Sequence, residues 1–278
     1  MLTDSLLLSV FFGLFLIVEI LLFPVFDFSF MSRGKILTIS KKMTVAILAA
    51  AIFLSVSISS IVISKSSPEL LQIFYIVLFV ISLTMTLFFL LNLKRTYIRL
   101  LLSLSVSICL LYLLSVYPTS LTQNLFMSAS ILWVGIVVFK RFNVRLKYFI
   151  PFMLFFAIID SINVYVLKTY TTFSDELFIL NGLVAIGPFI LGIGDFFLAY
   201  LIVSAARRYH TIWYALLLAV LLPLPRFFIR VLIPELEGAE FPYSIFMVPI
   251  ALLVYTFAAI QKRIQNTAKS NQYLGQKF

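Results

Sequence analysis

Long apolar runs separated by short polar connections set the pattern of this chain from end to end. A helix rising 1.5 Å per residue needs about 20 apolar residues to cross a hydrocarbon layer about 30 Å thick. Runs near that length fall at about 5-26, 43-64, 70-93, 97-117, 123-139, 147-167, 183-206, 212-233 and 242-261. The pattern therefore predicts nine membrane-spanning helices. Between the first two, Phe26, Phe28 and Phe30 stand beside Arg33 and Lys35, a mixture suited to a stretch lying along a membrane surface. Residues 262-278 are polar, with a Gln, Asn, Ser and Lys bias, and read as a loosely ordered tail.

Composition supports the membrane reading. Apolar residues make up 63% of the chain and charged residues 12%, which excludes an ordinary soluble domain. The expected fold class is an all-α integral membrane protein. A net charge of +10 raises the question of nucleic acid, but the basic residues sit in clusters between apolar runs, where they set topology instead. No nucleic-acid partner is expected. The single cysteine, Cys109, lies inside an apolar run and has no partner for an internal disulfide. The first apolar stretch has no basic segment before it and no small-residue cleavage site after it, so it reads as a retained helix.

Charge alternates from loop to loop. Arg33, Lys35, Lys41, Lys42, Lys94, Arg95, Arg99, Lys140, Arg141, Arg145, Lys147, Arg207, Arg208, Lys262, Arg263, Lys269 and Lys277 fall on one side, 17 of the 21 basic residues. Lys65, Lys168, Arg226 and Arg230 fall on the other, with Asp4, Glu69, Asp175, Glu176, Glu235, Glu237 and Glu240. The positive side faces the cytoplasm, so the N-terminus is outside and the C-terminus cytoplasmic. That arrangement requires an odd number of spans, and nine satisfies it.

Within the spans only Glu19, Asp160 and Asp195 are acidic. A carboxylate at bilayer depth costs several kcal/mol, so each is a hypothesis about function that needs a partner. Asp160 lies 13 residues beyond Lys147, and Asp195 lies 12 residues before Arg207. At 1.5 Å per residue the two depths are about 20 and 18 Å on consecutive antiparallel helices. Two carboxyl groups that meet there share a proton, which supplies a base and an acid together. The ionised member activates water while the protonated one hydrogen-bonds a scissile carbonyl. Peptide hydrolysis is the natural chemistry. Gly192 and Gly194, just before Asp195, leave room for a neighbouring helix or an extended substrate backbone.

Other residues add little chemistry. Glu19 reads as a single acid turned to the bundle interior or paired near its end. His210, the only histidine, reads as a solvated loop residue beside Arg207 and Arg208. One His, one Cys and no HExxH helix leave no evident zinc site, so no metal and no cofactor are expected. Arg226 and Arg230 read as snorkelling or paired with Glu235 or Glu237, and the Phe and Tyr load as lipid-facing packing.

Gly192-Ile193-Gly194-Asp195-Phe196 resembles the Gly-x-Gly-Asp signature of the presenilin and signal peptide peptidase intramembrane aspartyl proteases, and Asp160 resembles the aspartate of their preceding helix. Asp160-Ser161-Ile162-Asn163-Val164-Tyr165 is also similar to archaeal members. Pro242 sits where the family's Pro-Ala-Leu motif opens a ninth span, and Pro249 is similar to a second proline of the signal peptide peptidase branch. The resemblance implies a nine-span fold and a dyad of Asp160 and Asp195. It also implies that Pro242, Tyr243 and Ser244 form a non-helical stretch shaping the site. Three residues depart from the family: Ile159 stands in place of a tyrosine, and Tyr243 and Ser244 in place of Ala and Leu. Pro223-Leu224-Pro225 ranks second as a counterpart of the motif.

These readings divide the chain into a scaffold of spans one to five over 1-146, a catalytic portion over 147-261 and the tail over 262-278. The expected partners are the lipid bilayer and transmembrane peptides. The outside N-terminus resembles signal peptide peptidase, which implies type II spans or signal-peptide remnants as substrates. A proton-coupled transporter using the same two acids is the competing reading, and a non-catalytic scaffold the third. Residues 168–182 stand as a gate hypothesis from their Thr, Ser, Asp and Asn content.

Overall fold

A computed structural model of the chain describes residues 2–25, 68–91, 95–116, 124–125, 128, 132, 134–140, 144–165, 183–186, 189–225, 227–228 and 242–275. Among these residues there are eight helices: α1 (Leu2–Leu22), α2 (Pro68–Leu90), α3 (Thr96–Val116), α4 (Val134–Lys140), α5 (Leu146–Tyr165), α6 (Ile193–Tyr209), α7 (Ile212–Leu221) and α8 (Ser244–Gly275). Strands β1 (Leu183–Ile186) and β2 (Phe189–Gly192) pair antiparallel just before α6. The apolar runs at 5-26, 70-93, 97-117 and 147-167 correspond to α1, α2, α3 and α5. The run at 43-64, the loop from 27 to 42 and the gate segment 168–182 lie outside the described residues. Two helices, α3 over Thr96–Leu113 and α8 over Ser244–Ala268, are long and apolar enough to cross a membrane.

Three differences from the sequence pattern have physical causes. The run at 183-206 is not one helix: residues 183–186 and 189–192 pair as strands, and helix begins only at Ile193. Hydropathy does not separate a buried strand from a helix, and Gly187-Pro188 in the middle of that run opposes helix. The fold remains helical, with this short hairpin as a local addition. The run at 212-233 breaks early, since α7 ends at Leu221 ahead of Pro223 and Pro225. The last run is longer than expected. α8 continues through residues 262–275, because from Pro249 to Leu274 the sequence holds no glycine or further proline to stop it.

The core is organised around α6. From Leu198 to Ala206 each of its residues is at most 2% exposed, so the helix is enclosed on every side. Helices α1, α4, α7 and α8 pack on it, and the hairpin packs on α1. Ala199, Ala205 and Ala206 let neighbours approach closely, while Phe196 sits edge-on to Phe12 with centroids 4.6 Å apart.

End-to-end contacts relate the directions of α1 and of α4 through α8. Ser9, near the start of α1, donates to the Pro223 carbonyl beyond the end of α7 at 3.4 Å. Tyr243, just before α8, donates to the Leu222 carbonyl at the same place. At the opposite end, Lys140 of α4 donates to the Pro24 carbonyl past α1 at 3.4 Å. Tyr209 at the end of α6 donates to the Val144 carbonyl ahead of α5, and Tyr214 of α7 to Gln261 of α8. These contacts sort the ends into two sets, and the same two sets follow from the alternating loop charge. α2 and α3 pair through Thr84 and Ser107 at 3.1 Å, with the Arg99 guanidinium 4.4 Å from the Phe88 ring centroid.

Candidate functional site

Asp160 lies on α5, five residues from its end, and is partly buried. The Ser244 hydroxyl, on the first residue of α8, donates to Asp160 Oδ2 at 2.6 Å. The Ser244 backbone N–H donates to the same carboxyl group. An oxygen acceptor from α5 thus satisfies one of the N–H groups that the start of α8 leaves without an intrahelical partner. Ser161 is turned away and donates to the Ala157 carbonyl at 2.7 Å.

Asp195 lies in the first turn of α6, two residues after the helix begins. Gly192 closes β2 opposite Leu183, and the chain passes from strand to helix without a connecting residue. The glycines therefore mark a strand-to-helix junction rather than the middle of a helix. Each aspartate thus sits at a helix start, Asp195 in the first turn of α6 and Asp160 against the first residue of α8, where the helix dipole favours negative charge.

Phe156 links α5 to the start of α6. Its ring stacks on Phe197 with centroids 6.2 Å apart, and its Cζ is 3.7 Å from where a Cβ on Gly194 would lie. Phe156 precedes Asp160 by one turn on α5, and Gly194 and Phe197 flank Asp195 on α6. Depth can be counted from the contact that joins these helices at their charged ends. From the Tyr209–Val144 contact, Asp160 is 16 residues along and Asp195 is 14 residues back. At 1.5 Å per residue those are about 24 and 21 Å, a mismatch smaller than one helical turn. The 3.7 Å distance is ordinary van der Waals contact, so helix packing does not require the glycine at 194.

Pro242, Tyr243 and Ser244 are all buried at the start of α8. Tyr243 lies against Phe12 and Phe246, each with centroids 6.4 Å apart. Its hydrogen bond to Leu222 brings Pro223-Leu224-Pro225 beside Pro242, so both proline segments sit at one end of the bundle. Arg226 and Arg230 lie outside the described residues.

A second polar cluster lies away from the aspartates. Glu19 is fully buried, as an acid turned to the bundle interior would be. Its Oε1 accepts the Ser204 hydroxyl at 2.7 Å, and the carboxyl also accepts the Ile136 N–H. Tyr200, one turn before Ser204, donates to the Ser128 carbonyl at 3.2 Å. Gly135 fits among these groups only because it has no side chain. Neither Ser204 nor Gly135 stands out in the sequence; the available signal was small residues within apolar runs.

His210 differs from the solvated loop residue expected. It stacks on Tyr255 with centroids 5.6 Å apart and meets Tyr214 edge-on at 5.9 Å. Burial, with Lys262 nearby, pushes its imidazole below the usual histidine range. Among the described residues, no group of three or more His, Cys, Asp or Glu side chains could hold a metal.

No protein-family model, curated protein or solved structure matches this chain.

Proposed function

We propose that this protein is a multi-pass membrane aspartyl endopeptidase that cleaves peptide bonds within transmembrane segments, with Asp160 and Asp195 as its dyad. One observation carries the reading. Three stretches singled out separately along the chain converge: Ser244 is bonded to Asp160, and Phe156, one turn from Asp160, packs on the residues flanking Asp195.

The chemistry follows from the carboxyl groups. One aspartate, ionised, takes a proton from water as the water oxygen bonds to the scissile carbonyl carbon. The other gives its proton to the carbonyl oxygen, and a tetrahedral diol forms. Collapse breaks the C–N bond, the nitrogen takes a proton from the dyad, and one water is consumed per bond cleaved. The two helix starts favour the negative charge that develops.

A helical substrate hides its peptide bonds in internal hydrogen bonds and must unwind to be cut. The β1–β2 hairpin ends at the dyad and offers backbone groups to an extended chain, which replaces the bonds the substrate gives up. The absence of a side chain at Gly194 keeps that path open.

The membrane setting belongs to the same proposal. α3 carries outward apolar side chains, with Leu101 61% and Tyr112 66% exposed, as a lipid-facing helix does. With the N-terminus outside and the C-terminus cytoplasmic, the substrates are spans inserted with a cytoplasmic N-terminus.

The test uses purified protein in detergent with a transmembrane peptide, as wild type, Asp160→Ala and Asp195→Ala. Cleavage by wild type and by neither variant is the expected result. Cleavage that survives either substitution removes the dyad. No cleavage, together with proton-linked uptake in liposomes that needs both aspartates, transfers the same pair to a transporter.

A further inference from the structure

We infer that Ser244 is a positioning residue for Asp160, and that Tyr243 and Ser244 together clamp the start of α8 onto the site through their hydroxyl groups. The inference rests on the protease reading above and concerns what holds the dyad in place.

The segment is fixed at two points. The Tyr243 hydroxyl, on a side chain 1% exposed, donates to the Leu222 carbonyl beyond α7. The next residue, Ser244, is fully buried and donates both its hydroxyl and its backbone N–H to Asp160. One residue anchors the segment to the scaffold, and the following one holds the acid. An aspartate has two soft torsions, and a carboxylate facing a polar cleft samples several rotamers. Two donors on one rigid backbone unit select one of them. With both donors of Ser244 engaged, the carboxyl group is held in one orientation for its part in the dyad.

The sequence context gives the contact a reason. The family motif that the segment resembles has Ala and Leu at these two positions, and neither carries a hydroxyl. Here both replacements bring one, and both hydroxyls are used. Pro249, five residues on, has no N–H for the Ile245 carbonyl, so the first turns of α8 are held less firmly by their own ladder. Side-chain anchors at residues 243 and 244 make up for that.

The experiment measures kcat, KM and the pH–rate profile for wild type, Ser244→Ala, Ser244→Cys, Ser244→Thr and Asp160→Ala with one transmembrane peptide in detergent. Removing a hydrogen bond to a charged group predicts a fall in kcat of about 10- to 100-fold in the Ala and Cys variants. KM stays within about twofold, because the hydroxyl touches Asp160 and not the substrate. One limb of the pH–rate profile moves and the other stays. Thr restores kcat to within about threefold, since it keeps the hydroxyl at the same carbon. Ala is slightly smaller than Ser and Cys somewhat larger with a much weaker donor, so a loss shared by both follows the donor and not a packing change in one direction.

The clamp is overturned if Asp160→Ala abolishes cleavage while Ser244→Cys keeps wild-type kcat and both pH limbs, or if Thr fails to restore what Ala loses. If wild type does not cleave, or Asp160→Ala cleaves as well as wild type, the protease reading itself fails. The two failures are distinct.

Discussion

Replacing Gly135 with alanine puts a methyl group where no space exists. An ideal Cβ there lies 2.5 Å from the Tyr200 carbonyl oxygen, 2.7 Å from Glu19 Oε1 and 2.8 Å from Ser204 Oγ. The first neighbour is backbone of the enclosed helix α6 and cannot swing away. The other two are held to each other by a 2.7 Å hydrogen bond. To accept the methyl, α4 must withdraw from α6 by roughly half an ångström to an ångström, the shortfall from an ordinary carbon–oxygen contact. That movement stretches the Ile136 N–H bond to Glu19 and loosens Phe139, which is buried edge-on to Phe149 with centroids 5.0 Å apart. Overpacking of this kind costs about 1–3 kcal/mol, and a weakened bond to a buried acid adds about 1–2 more. The gain from replacing glycine in a helix offsets at most about 1 kcal/mol. The net loss is about 2–3 kcal/mol, or a fall in Tm of about 5–10 °C for a chain of this size. Thermal unfolding of the detergent-solubilised protein, followed by near-UV circular dichroism, measures it. A Tm within about 2 °C of wild type would falsify the close approach of α4 to α6.

Two further predictions separate packing from chemistry and from charge. Gly194→Ala should fold with wild-type Tm, because the nearest atom to its new Cβ is 3.7 Å away. Its cleavage rate should nonetheless fall by about tenfold or more, as displaced reacting groups require; equal rates for the two proteins remove the proposed substrate path. For His210, a lowered pKa means that the folded protein binds fewer protons than the unfolded chain. The stabilisation is therefore complete above the usual histidine value of about 6.5 and declines as pH falls below it. Tm should drop between pH 7.5 and 5.5. The drop should be smaller in His210→Phe, which keeps a ring against Tyr255 and cannot ionise; equal pH dependence in the two proteins ends that account.

What was legible in the sequence is what depends on length and charge. Apolar run length located α1, α2, α3 and α5. Counting residues from the charged ends gave Asp160 and Asp195 similar expected depths, because helix rise is constant whatever the side chains. Hydropathy could not show that residues 183–186 and 189–192 pair as strands, since an apolar run satisfies either structure and only its neighbours decide which forms. Nor could it show that the glycine with no room to spare is Gly135 and not Gly194: that depends on which backbone lies opposite, and contacts across helices carry no periodicity along the chain. Ser244 illustrates the division best. In the sequence it is a departure from an expected motif, and only the packing of α8 against α5 turns its hydroxyl toward Asp160.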